Sequence, residues 1–144
     1  MKKTSFSKNK TKSRSGQNTK VDLEAMKILR TVGDQEAFYF YEKIGRPTGE
    51  IVKNLSDFLK KVQSVKSETL MFHVQRRDFQ NWIGKVLGDS KLAEELDRIS
   101  SSNTDVVRMS INRTVGNRIK ELRQAQPPIA ILIDEESAAL LPSP

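Results

Sequence analysis

The chain has 144 residues, of which 25 are Lys or Arg and 18 are Asp or Glu, giving a formal net charge of +7. It has no cysteine, which excludes a disulfide framework, a thiolate zinc site and a thiol nucleophile. No run approaches the roughly 18 apolar residues that a membrane-spanning helix needs, so a membrane partner is not expected.

The charge is concentrated at the start. Residues 1–20 hold Lys2, Lys3, Lys8, Lys10, Lys12, Arg14 and Lys20 and no acid, leaving 18 basic against 18 acidic residues in 21–144. The rest of this segment is Ser, Thr, Asn, Gln and Gly with Phe6 as its one large apolar side chain. Such a composition buries too little to offset the entropy of ordering, so 1–20 reads as a disordered basic arm. No apolar h-region follows it, unlike a secretory signal. A transit peptide would favour Arg and an amphipathic face. Together with the missing cysteine, this predicts a cytoplasmic location.

The next stretch, 21–32, is loosely amphipathic, with Leu23, Met26, Leu29 and Val32 at three-residue steps and Gly33 as a stop. Ala37–Ile44 is aromatic-rich and reads as a strand, placing Tyr39 and Tyr41 on one face and Phe38 and Phe40 on the other. Gly45-Arg46-Pro47-Thr48-Gly49 predicts a turn. Its glycine amides and Arg46 also invite an anion-binding reading, but the spacing is not that of a phosphate loop, because no Lys-Ser/Thr follows Gly49.

Four helical segments come next. Asn54 is placed to cap the first, aligning Leu55, Phe58, Leu59, Val62 and Val65. Ser67–Gln75 fits a short helix begun by Ser67, and the alternation of Leu70, Phe72 and Val74 fits a strand as well. Asp78 reads as the cap of a helix that turns Phe79, Trp82, Ile83, Val86 and Leu87 inward and stops at Gly88. Asp89 or Ser90 begins another, burying Leu92, Leu96 and Ile99. After the polar break Ser100–Asn103, a long helix from Thr104 to Arg123 carries the stripe Val107, Ile111, Val115, Ile119 and Leu122. Pro127-Pro128 closes the helical region, and Ile129–Ile133 fits a short strand. The expected division is an arm at 1–20, a helical domain at 21–124 and a C-terminal extension at 125–144.

The Leu55-x-x-Phe58 pair, Ser67-x-x-Leu70-x-Phe72-His73, Asp78-Phe79-x-x-Trp82-Ile83 and Leu87-Gly88-Asp89-x-x-Leu92-Ala93-x-x-Leu96 form a recognisable series. Over residues 38–122 the chain resembles an uncharacterised prokaryotic domain, family 5752 of the domains of unknown function. The resemblance implies one mostly helical unit and brings no activity with it.

The inventory for catalysis is thin. His73 is the one histidine, and Asp78 could orient it as a general base. The competing reading is a half-buried His that hydrogen-bonds across a helix junction. One His with scattered carboxylates has no metal-ligand spacing, and no cofactor is expected. Tyr39 and Tyr41 could stack on bases or pack at a rim. Arg76 and Arg77 before Asp78, and Arg113 and Lys120 flanking the last apolar stripe, offer further phosphate contacts or ordinary solvated charge.

The expected fold is therefore mainly α, a compact bundle of four to five short helices with one or two short strands and a disordered arm. The expected function is non-enzymatic association with nucleic acid, phosphates being contacted by Lys2, Lys3, Lys8, Lys10, Lys12, Arg14 and Lys20, supplemented by Arg76, Arg77, Arg113 and Lys120. The alternative is a protein-interaction or adaptor module that binds no nucleic acid.

Overall fold

The computed structural model describes residues 23–125, which are mostly helical with one two-stranded antiparallel sheet. The basic arm, most of the C-terminal extension and the 129–133 strand expectation lie outside the described residues. The chain divides into two compact units. One is Lys27–Glu121. The other is Met1–Met26 with Leu122–Pro144.

Helix α1 covers 23–29. It buries Ala25 and Ile28, while Leu23 and Met26 are exposed, so the three-step stripe read from sequence is not its inner face. A single 3-10 turn, Asp34–Glu36, leads into strand β1, Phe38–Lys43. Its alternation is as expected: Phe38 and Phe40 are buried and Tyr39 is exposed.

The expected turn at Gly45–Gly49 is corrected. The reversal is confined to Ile44-Gly45, and Arg46–Val52 is a second strand, β2, antiparallel to β1. Tyr39 lies opposite Ile51 and Tyr41 opposite Pro47, so Phe40 alone on β1 faces Thr48, Gly49 and Glu50 on β2. Gly49, at φ +88°, absorbs that bulge, where a side chain would be strained. Thr48 Oγ1 donates to the Phe40 carbonyl at 3.2 Å and accepts from the Glu50 amide at 3.1 Å, serving groups that the interrupted ladder leaves open.

Helix α2, Leu55–Ser64, starts where the sequence places it, with Asn54 Oδ1 accepting from the Asp57 amide at 2.8 Å. Residues Ser67–Arg76 form helix α3 rather than a strand. Arg77 ends α3 in the left-handed conformation (φ 63°, ψ 29°) and begins helix α4, Asp78–Asn81. Asp78 does not cap α4 with its side chain, because its carboxylate is turned to His73 and Arg76. The chain then widens into a π segment, Trp82–Leu87, stopped by Gly88 at φ +87°. Helix α5, Ser90–Asp97, is capped by Asp89, and helix α6 runs Thr104–Gln124.

Within the Lys27–Glu121 unit, Phe38 and Phe40 of β1 meet Phe58, His73, Phe79 and Trp82 in one aromatic cluster. Neighbouring ring centroids there are 4.9 to 6.2 Å apart, mostly edge-to-face or tilted. Leu55, Val62, Leu70, Ile83, Leu87, Leu92, Val107 and Val115 are almost fully buried and extend the core. Each large apolar side chain so buried contributes about 1.5–3 kcal/mol.

Candidate binding cleft

Tyrosines face away from the core on β1, α3 packs beside that strand, and the π segment runs past it. Between them lies a cleft of about 500 Å³, lined chiefly by Tyr39, Tyr41, Ile44, Phe72, His73, Arg76, Asp78, Asn81, Trp82 and Lys85. Its walls are set by hydrogen bonds that hold each element in place. Tyr39 Oη donates to the Asp34 carbonyl at 2.7 Å, fixing the ring against its own strand entry. Trp82 Nε1 donates to the Glu36 carbonyl at 2.7 Å, which ties the π segment to the turn before β1.

His73 lies at the base and is buried. Its Nε2 accepts from the Tyr41 backbone amide at 2.9 Å, so that nitrogen carries no proton. Nδ1 therefore holds the proton and donates it to Asp78 Oδ2 at 2.8 Å. Burial pushes the imidazole pKa below its ordinary value, outweighing the Asp78 hydrogen bond that acts the other way, and Arg76 adds to the lowering. Both ring nitrogens are thus engaged in joining α3 to β1 and to α4. The residue pair read from sequence as base and orienting carboxylate is brought together, but in a joint with no free imidazole lone pair.

The proposed phosphate contacts in the body fall into two groups. Arg76 donates from Nε to Asp78 Oδ2 at 3.1 Å and lies over the Phe72 ring, 5.2 Å from its centroid, while half of its side chain remains exposed. Arg77 turns elsewhere and meets Asp97 Oδ2 at 2.6 Å. Arg113 borders a depression shared with Glu95 and Glu121, so its surroundings are mixed in sign. Lys120 is exposed on α6. Arg76 and Arg113 line separate depressions.

Sequence reasoning missed what several other cations do. Arg30 donates to the carbonyls of Lys27 at 2.7 Å and Val86 at 2.8 Å, capping the end of the π segment from α1's C-terminal side. Arg108 donates to the carbonyls of Val62 at 2.6 Å and Val65 at 2.9 Å, where α2 ends. Arg118 grips the buried Asp89 through two bonds of 2.8 and 3.1 Å, while Asp89 Oδ1 also accepts from the Leu92 amide. Burial works against the Arg118 charge, but Asp89 and Glu121 raise its pKa further; Glu121 is held below the usual carboxylate range by Arg118 and Lys91. Local sequence patterns carry no sign of such long-range contacts.

Lys85 likewise carries no local sequence signal. It lines the cleft with its ammonium unpaired among the described residues, as does Asn81 with its side-chain amide free of hydrogen bonds. No group of three His, Asp or Glu side chains among the described residues could hold a metal ion, and no described helix is long and apolar enough to cross a membrane. Family models, curated proteins and solved structures give no match to the chain.

Proposed function

We propose that this is a non-enzymatic, cytoplasmic, nucleic-acid-associated protein whose basic arm, residues 1–20, contacts the phosphate backbone. The observation that carries this reading is the separation of charge. All of the +7 excess lies in the first twenty residues. The engagement of Arg30, Arg108 and Arg118 in internal hydrogen bonds supports it, since these side chains are not available to phosphates. Lysines on a Ser/Asn/Gly background supply charge density without demanding a shape, which suits contacts that do not read sequence. His73, with both nitrogens engaged, supports a role without catalysis. The resemblance to family 5752 belongs to this proposal as kinship of domain alone.

Salt titration tests it. With five to seven phosphate contacts on duplex DNA, log affinity falls against log salt with a slope of about −4 to −6. Replacing Lys8, Lys10, Lys12 and Arg14 with Gln lowers the magnitude of that slope by about three to four and weakens all sequences alike. Absence of duplex binding by the intact chain at low salt removes the arm reading. The adaptor reading would then stand on the aromatic cleft and the exposed Tyr39 and Ile44 at its edge.

A further inference from the structure

We propose that the cleft beside β1 is a second binding site, which takes one unstacked nucleotide of a single-stranded nucleic acid. Its base would lie against Tyr39 and Tyr41 and its phosphate at Lys85 and Arg76. The size is appropriate: about 500 Å³ lies within the roughly 300–1,000 Å³ of small-ligand pockets.

The walls have the chemistry of a stacking platform. Tyr39 and Tyr41 share a strand face; the Tyr39 ring is held before any ligand arrives by its hydroxyl on Asp34, and the Tyr41 backbone is held by its amide on His73. A ring so fixed loses little freedom on binding a base, and any base has a face to offer the pair. The charge is also suited to a phosphate. Asp78 is the one carboxylate lining the cleft, and it is engaged by His73 Nδ1–H and Arg76 Nε–H. Lys85 is left as an unpaired cation among the described residues, and Arg76 keeps an exposed fork. Asn81 adds an uncommitted amide with both donors and an acceptor for a base edge. A base paired in a duplex cannot enter such a cleft, whereas one splayed from a single strand can.

The site borrows from the arm reading only the polymer that carries the nucleotide, and the two can be separated. Trp82 is the single tryptophan and lines the cleft, so its emission reports occupancy. A 5′-phosphorylated pentathymidylate titrated into the full chain should change Trp82 emission saturably. The change should persist when Lys8, Lys10, Lys12 and Arg14 are Gln, although duplex binding is weakened. Tyr41→Ala keeps the amide that His73 needs and should weaken pentathymidylate by about fivefold or more, the least expected for one lost stacking contact. Tyr41→Phe should retain affinity, and Lys85→Glu, on an exposed side chain, should lower it without altering the melting temperature.

A saturable signal in a chain that binds no duplex would sustain the cleft and remove the arm. Duplex binding with no pentathymidylate signal at Trp82 would remove the cleft and leave the arm. Unchanged affinity in both Tyr41→Ala and Lys85→Glu, or an acidic aromatic peptide that saturates the Trp82 signal where the oligonucleotide gives none, also overturns the site.

Discussion

His73 shows how a buried titratable group is kept neutral by its partners. The Tyr41 amide points a donor at Nε2, so a proton there would set two donors against each other, and burial adds a further penalty. Its folded pKa is depressed while the unfolded value is about 6.5, so the unfolded chain takes up the proton first. Stability is therefore complete above pH 6.5 and falls as pH drops from there toward the depressed value. The chain has no second histidine, and the lowered carboxylates Asp34 and Glu121 titrate further into the acid range. Thermal melts from pH 7 to pH 5 should thus show a loss of midpoint that disappears in His73→Gln; a flat profile for the native chain contradicts the assignment. Asp89 makes a second residue-scale case. It caps α5 and holds Arg118, whose side chain is 15% exposed. Asp89→Ala removes the α5 cap and leaves Arg118 only its more exposed partner Glu121, and should cost about 3 kcal/mol in denaturant unfolding. Adding Arg118→Met should recover part of the loss.

At the scale of elements, the parts legible in the sequence are those decided locally. Asn54 announced α2, Asp89 or Ser90 announced the start of α5, and the stripe from Val107 to Leu122 defined α6, because caps and periodicity act within a few residues. Strand β2 was illegible for the converse reason. Gly45, Pro47 and Gly49 have low strand propensity, and only pairing with β1 and a bulge at Gly49 make the segment extended. In α1 two stripes compete on the same helix, and burial of Ala25 and Ile28 decides between them. Asp78 has the residue type of a cap, whereas its carboxylate has better partners in His73 and Arg76. The cleft was half legible: the tyrosine face was visible, but Lys85 and Asn81 join it through packing of distant segments. The α3–α4 junction yields a test of competing magnitudes. Arg77 in the left-handed region costs about 1–2 kcal/mol, while its largely exposed ion pair with Asp97 returns at most about 1 kcal/mol. Arg77→Gly should therefore leave the melting temperature equal or higher, and a clear drop would mean the pair is worth more than this.

For the whole molecule, the proposed division of labour is between a charged segment and a helical unit in which Arg30 and Arg108 serve the unit's own helix ends. Replacing Lys8, Lys10, Lys12 and Arg14 with Gln should therefore change salt-dependent binding while the melting transition stays in place. A shift of several degrees would show that the arm contributes to the fold. The π segment bears on a different property, the tolerance of this chain to changes in its own length. A π turn accommodates one residue more than the α turn it replaces while leaving the helix on either side in register. Trp82–Leu87 can thus be regarded as an α-helix holding an inserted residue, with Lys85 on its exposed side. Removing Lys85 should let the segment relax to α-helix with Trp82 and Leu87 still inward. Removing Met109 from α6, where no spare residue exists, would rotate the buried stripe by about 100°. Melting of the two deletion variants should place the Lys85 deletion well above the Met109 deletion. The stretch that looks least regular is then the one through which this chain can lose a residue without refolding.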